Sequence, residues 1–271
     1  MTASEAHNAA SRFAEKVGRT TISGIEELGT CGVILAESVF WLVAGRNYKQ
    51  PVRIGSIFNQ MMEIGIKALP IVTIMAGTIG VMLAIQGIYT LRIFGAESKV
   101  TVGIAFSMVR EFAPLITGIL VAGRSGSALA ARLGIMKINQ EIDALHVMGV
   151  NPTRFLVAPA LVALIVMVPA LTFFSNIVGL YAAGLYVGAD LGISMAAYVD
   201  QVIEILSVDD LVQSMGKSLI FAVLIALIGV VNGASVSGGA EGVGKVTTRA
   251  VVQSISAIIV TDMIFAFMVT R

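Results

Sequence analysis

ALPIVTIMAGTIGVMLAIQGIYTL, Ala68–Leu91, carries no charge from end to end. As a helix it would rise about 36 Å, enough to cross the ~30 Å hydrocarbon core of a bilayer. Four further stretches read the same way. Val100–Gly123 is apolar apart from Arg110 and Glu111, Phe155–Ala189 and Ser218–Ala240 are uncharged, and Ala250–Thr270 is apolar apart from Asp262. Phe155–Ala189 exceeds one crossing, and Pro159 and Pro169 within it predict one long, tilted helix with an end beyond the bilayer. The pattern predicts an all-α, polytopic integral membrane protein with about five transmembrane helices.

Composition points the same way. Of 271 residues, 56% are hydrophobic and 13% charged, and the mean hydropathy is +0.90. A soluble domain carries roughly a quarter of its residues charged, so much of this surface faces something other than water. A net charge of +1, with no massed basic segment, excludes nucleic acid as a partner. A lone cysteine, Cys31, excludes an intrachain disulfide and a thiolate metal cluster, and His7 and His146 lack ligand spacing. The opening MTASEAHNAASRFAEKVGR has no apolar run and does not read as a signal peptide.

Leu28–Gly45 is apolar but is interrupted by Glu37 and flanked by Glu26, Glu27 and Arg46. It predicts an amphipathic helix lying in the interface, with Trp41 at headgroup level. Residues 1–55 thus form a cytoplasmic N-terminus with an interfacial helix, and 56–271 a transmembrane domain with a cytoplasmic loop at 124–154. Arg12, Lys16, Arg19, Arg46, Lys49, Arg53, Lys67, Arg124, Arg132, Lys137, Arg154, Lys245 and Arg249 fall on one side. Only Arg92, Lys99, Lys217 and Arg271 fall on the other, a division of 13 to 4. The loop from Asp190 to Asp210 on that second side is acidic. The bias predicts a cytoplasmic N-terminus and a C-terminus outside.

Arg110 and Glu111 sit near the middle of the second span, where a charge costs about 2.5–3.5 kcal/mol even on lenient scales. Neighbours on a helix point about 100° apart, so the two do not simply neutralise each other. Pro114 has no N–H, which leaves the Arg110 carbonyl without its usual partner. Two charges and a loose carbonyl at that depth predict a polar cavity. Asp262 is either a partner for Arg110, a proton site or a hydrogen-bonding group between helices. Gln86 and Tyr89, toward the outer end of the first span, are weaker candidates to line the path.

In the loop, Ile138, Ile142 and Leu145 recur at helical spacing, with Gln140, Glu141 and Asp143 on other faces. Gly149 and Pro152 stop that helix. Its apolar stripe either packs on the chain's own membrane face or docks a partner. GAEGVGKV, Gly239–Val246, approaches a phosphate-binding loop but has Val246 where Ser or Thr would hold Mg²⁺. It reads as a flexible loop, and ATP, if used, belongs to another chain. Gly184/Gly188 and Gly229/Gly233 favour close helix packing and hint at a dimer.

VREFAPLITGILVAGRSGSALAARLGIMKINQEIDALHVMGVNPTRFLVAP (Val109–Pro159), LAIQGIY (Leu83–Tyr89) and TTRAVVQSISAIIVTDMIFA (Thr247–Ala266) together resemble the MlaE/YrbE permeases. These are membrane subunits of ABC transporters that carry phospholipid between the inner and outer membranes of Gram-negative bacteria. The resemblance implies an inner-membrane homodimer with its C-terminus in the periplasm. It implies a cytoplasmic ABC ATPase (MlaF-like) that binds ATP and Mg²⁺, while this chain holds no cofactor and is not itself an enzyme. A periplasmic MCE-domain subunit (MlaD-like) and a small STAS-domain subunit (MlaB-like) follow as well. Arg110 and Glu111 would line the lipid cavity between two permeases. Gln140, Glu141, Ile142, Asp143 and Leu145 would couple to the ATPase. Arg132 and the Gln140-Glu141 order depart from the family pattern in the docking region. The rival class is an ion-coupled secondary transporter of a hydrophobic substrate, with Glu111 or Asp262 as the ion site.

Overall fold

The computed structural model describes residues 22, 24–27, 29–43, 45 and 52–269. The polar N-terminal stretch up to residue 21 and the orientation-setting Arg46, Lys49 and Arg271 lie outside these residues. Helix α1 covers residues 29–43. Helix α2 (Ile54–Ile64) leads through a 3₁₀ turn into α3 (Leu69–Arg92). The second long element runs unbroken from α4 (Val100–Ser107) through α5 (Ala113–Val121) to α6 (Ser127–Ile138), with π turns at Met108–Phe112 and Ala122–Gly126. A short α7 (Glu141–Val147) precedes α8 (Ala158–Leu191), followed by α9 (Met195–Ile205), α10 (Val208–Ala234) and α11 (Gly239–Val269). Among the described residues, five stretches are long and apolar enough to cross a membrane: Ile54–Arg92, Glu97–Ile138, Thr153–Leu191, Val208–Ala234 and Gly239–Met268. The expected all-helical, five-span architecture is what the structure shows.

Helix α8 is the centre of the bundle, packing against α2, α3, α5 and α10. Lipid tails are as apolar as leucine, so the helices associate through close packing, and small residues permit it. Val72, Ala76, Gly80, Ala84 and Ile88 recur every fourth residue on α3 and are buried. At Gly80 the backbones meet: a Cβ there would lie 2.1 Å from the Gly179 carbonyl oxygen of α8. The Gly184/Gly188 and Gly229/Gly233 spacings serve close contacts inside the chain. Gly229 and Gly233 pack against the Gly126 and Ala130 carbonyls of the second long element, and Gly184 receives the ring of Tyr198 from α9. Burial there pushes the Tyr198 phenol up to about 12, so it stays neutral.

Several segments read as loops are helical. The second span continues as α6 well into the expected 124–154 loop, and the break comes at Asn139–Gln140, with Gln140 in the left-handed region at φ 59°. Ile138 therefore belongs to α6, whereas Ile142 and Leu145 belong to α7, and no single stripe joins all three. GAEGVGKV is not a flexible loop. Gly238 and Gly239, at φ 84° and 70°, make the turn by themselves, and α11 starts at once. Gly242 lies where a Cβ would be 1.8 Å from the Ser237 carbonyl oxygen, and Glu241 pairs with Lys245 at 2.7 Å one turn on. The acidic loop holds α9, whose Ser194 cap accepts from the Ala197 N–H.

Two acids, Glu37 of α1 and Glu27 just ahead of it, strap this part of the chain to the bundle. Glu37 accepts from Asn151 Nδ2 at 2.7 Å and Thr153 Oγ1 at 2.8 Å, just ahead of α8. Glu27 accepts from Arg249 and Gln253 of α11. Ser38 is buried and Ile34 and Leu35 pack on the bundle, while Val33, Val39 and Val43 stay exposed. The packing argument predicts a clear contrast between two glycines. Gly80→Ala should lower detergent-phase stability by about 1–3 kcal/mol through overpacking. Gly103→Ala, with nothing near its Cβ position, should be neutral or slightly stabilising. Equal unfolding midpoints for both variants would remove Gly80 from the account.

Candidate functional site

The site begins with Pro114. Its ring would collide with the carbonyl of Arg110 four residues earlier, and it has no N–H to offer. The chain responds by widening into the π turn Met108–Phe112, where the Ala113 N–H reaches back to Met108. The Arg110 carbonyl, freed of a helical partner, accepts from Lys217 Nζ of α10 at 3.0 Å. The same ammonium donates to both Glu111 carboxylate oxygens at 2.9 Å and pairs with Asp262 of α11 at 2.9 Å. Lys217 is completely buried. One cation thus ties together the second, fourth and fifth spans.

The Arg110 side chain turns to a different partner. Its Nε and Nη2 both lie 2.7 Å from Asp210 Oδ1, and its guanidinium stacks over Phe106 at 4.1 Å. The other Asp210 oxygen accepts from the backbone N–H and the hydroxyl of Ser207, at 2.9 and 2.8 Å. This is a capping box: Ser207 and Asp210 close the first turn of α10 on each other. Asp210 is thereby buried and fixed, and it fixes Arg110 in turn.

The cluster holds two cations and three carboxylates. Lys217, Asp210 and Asp262 are buried, whereas the Arg110 and Glu111 side chains keep 40% and 38% of their surface. The supporting groups are hidden, and Arg110 and Glu111 are the two that stay accessible. Desolvating an ion is costly unless it is paired and hydrogen-bonded, and here the pairing leaves one face of Arg110 and Glu111 open.

Arg110 and Glu111 lie where the sequence placed them, and the loose Arg110 carbonyl is real. Asp262 is not the partner of Arg110: it pairs with Lys217, and the Arg110 guanidinium pairs with Asp210. Lys217 and Asp210 had been counted with the outer connection. The missed signal was Ser207-x-x-Asp210, a helix-start pattern that puts Lys217 nine residues inside α10. Gln86 and Tyr89 are exposed on α3, away from its buried face and apart from the cluster. On and beside α7, Gln140, Glu141 and Asp143 are exposed, Ile142 and Leu145 are half-buried, and the following Val147 and Met148 are exposed.

The Permease MlaE family matches residues 57–268. This chain belongs to that family. It is a permease. A probable ABC transporter permease protein of Synechocystis is 35% identical over 211 residues, covering 78% of this chain and 80% of that protein. A probable ABC transporter permease protein of Rickettsia conorii is 30% identical over 93% of this chain and 98% of that protein. The intermembrane phospholipid transport system permease protein MlaE of Haemophilus influenzae is 29% identical over 93% of this chain and 95% of that protein.

The cluster predicts how the permease responds to losing its central cation. Lys217→Met leaves the Glu111 and Asp262 carboxylates facing each other, and unpairing a buried ion typically costs about 3–5 kcal/mol. The unfolding midpoint in detergent should fall sharply, and adding Asp262→Asn should restore part of it. A wild-type midpoint for Lys217→Met would show that the ammonium does not hold the spans together.

Proposed function

We propose that this permease is the membrane subunit of an ATP-driven ABC transporter that moves phospholipid between inner and outer membranes and so maintains outer-membrane lipid asymmetry. The printed name of the Haemophilus relative states phospholipid transport for that protein, and several relatives are named as ABC transporter permeases. The observation that carries the reading is the half-open Arg110–Glu111 pair at membrane depth, braced from behind by Lys217, Asp210 and Asp262. A fixed guanidinium suits a lipid phosphate, and a neighbouring carboxylate suits a headgroup amine. Lys217 also speaks against the ion-coupled alternative, since an ammonium already fills the space between Glu111 and Asp262 where a coupling cation would sit.

In this reading the chain works as a homodimer in the bacterial inner membrane, with a cytoplasmic N-terminus and a periplasmic C-terminus. Helix α11 offers an extended apolar face that includes Val252, Ile259 and Met263, and this face supports a second copy across the cavity. ATP and Mg²⁺ bind to a cytoplasmic ABC ATPase docked at α7 through residues 140–145, with the exposed Val147 and Met148 as the outermost apolar contacts. An MCE-domain subunit receives or delivers lipid on the periplasmic side, and a STAS-domain subunit accompanies the ATPase. The Ile142 and Leu145 side chains, half-buried against the permease, pass the ATPase movement inward.

The pairing pattern makes the test clean. In Glu111→Gln, Lys217 keeps Asp262, and in Arg110→Gln, Asp210 keeps its Ser207 cap. Both variants should therefore insert, dimerise and bind the ATPase, and both should lose most lipid transport in reconstituted liposomes. Wild-type transport in both would remove the pair from the mechanism. Failure to assemble would make the pair structural.

A further inference from the structure

A second polar site lies roughly 20 Å from the ion cluster along the same long helix. The π turn Ala122–Gly126 carries Arg124 and Ser125 onto one wall of a cavity of about 80 Å³ between α2, α6 and α8. Arg132 of α6 and Gln60 and Glu63 of α2 complete its polar lining, and Leu164 of α8 contributes to its apolar floor. Arg124 Nη1 has no exposed surface and no hydrogen-bond partner. Arg132 Nη2 stands 3.7 Å from Glu63, a long contact between two half-exposed groups. The site therefore holds two guanidinium groups, and among the described residues only Arg132 has a carboxylate beside it.

Helix α2 supports the placement. Its Gln60 is buried against the protein, whereas Ile54, Phe58 and Met62 are exposed along one stripe at i, i+4 and i+8. A water-facing helix would turn the other way. An apolar stripe outward, with Ile64 in the core and Gln60 and Glu63 at the cavity, suits a helix that meets hydrocarbon on one side and lines a polar pocket on the other. Helices α2 and α3 form one apolar stretch, Ile54–Arg92, and the cavity lies toward its α2 end.

We propose that this cavity is a phosphate oxyanion site. Arg124, half-buried with its Nη1 enclosed, supplies the anchor, and Arg132 leaves Glu63 to close on the bound group. Planar guanidinium forks match phosphate oxygens in charge and geometry. The phosphate is either that of a lipid headgroup entering from the membrane or free phosphate from solution. The site is separate from the Arg110–Glu111 cluster and stands whether or not that cluster carries lipid.

The test uses the full-length permease purified in an uncharged detergent. Two probes are titrated calorimetrically: dihexanoyl-phosphatidylglycerol below its micelle concentration, and sodium phosphate. Each is run on wild type, Arg124→Gln, Ala128→Phe and Arg110→Gln. Ala128 lines the cavity and is exposed, so the phenyl ring obstructs the site without altering its charge and serves alone if Arg124→Gln does not fold. The proposal expects Arg124→Gln and Ala128→Phe to weaken binding roughly tenfold or more, as loss of a charge-assisted hydrogen bond does, with a binding event preserved in Arg110→Gln. An effect confined to the lipid probe identifies a headgroup, and an equal effect on sodium phosphate identifies the free ion. Unchanged affinities in the Arg124 and Ala128 variants, or loss of all binding in Arg110→Gln alone, would overturn the site. The latter result would leave the transport reading intact.

Discussion

A buried ammonium must be matched, and the way Lys217 is matched organises the membrane half of this permease. Its partners are the Arg110 carbonyl, Glu111 and Asp262, drawn from two other spans. The carbonyl would not be free in a regular helix. Pro114 opens the turn that frees the carbonyl, the widened turn places Arg110 and Glu111 toward α10, and the Ser207–Asp210 cap starts α10 early enough to sink Lys217 into the bundle. Each is a local backbone event, and together they put two ionised groups at a depth where lone charges would be expelled.

The same long helix carries consequences away from that knot. From Val100 to Ile138 it runs as one element, with a π turn at the ion cluster and another at the Arg124 cavity. Such wide turns commonly mark functional positions because they re-aim side chains without ending the helix. Beyond α6, the left-handed Gln140 turns the chain into α7, and Asn151 and Thr153 then hold Glu37 of α1. Hydrogen bonds thus link the segment after α7 to α1 through Glu37, and Glu27, just ahead of α1, to α11, which bears Asp262.

The five spans were legible because hydrocarbon imposes a length and forbids unpaired charges, so uncharged runs such as Ala68–Leu91 admit one reading. Arg110, Glu111 and the carbonyl freed by Pro114 were legible for the same reason. What escaped were features set by local turn chemistry. Lys217 falls at a span boundary when charge alone sets the start of that span, although Ser207 and Asp210 mark where α10 begins. GAEGVGKV looked like a loop because of its glycines, yet Gly238 and Gly239 make the turn and Gly242 serves a close approach inside the helix. Which carboxylate meets which cation is a matter of tertiary packing, and spacing carried no information on it. Asp262 went to Lys217, and Asp210 went to Arg110.

The central claim is that Lys217 presents Arg110 and Glu111 in working position, beyond holding the spans together. The direct measurement is lipid transport by a Lys217→Met/Asp262→Asn permease reconstituted in liposomes with its partner subunits, after confirming that it is folded and assembled. Removing one cation and one carboxylate keeps the charge balance while releasing the Arg110 carbonyl and Glu111 from their brace. The account predicts an assembled complex whose transport falls at least tenfold, a barrier increase of about 1.4 kcal/mol or more. Transport at the wild-type rate by that assembled double variant would contradict it.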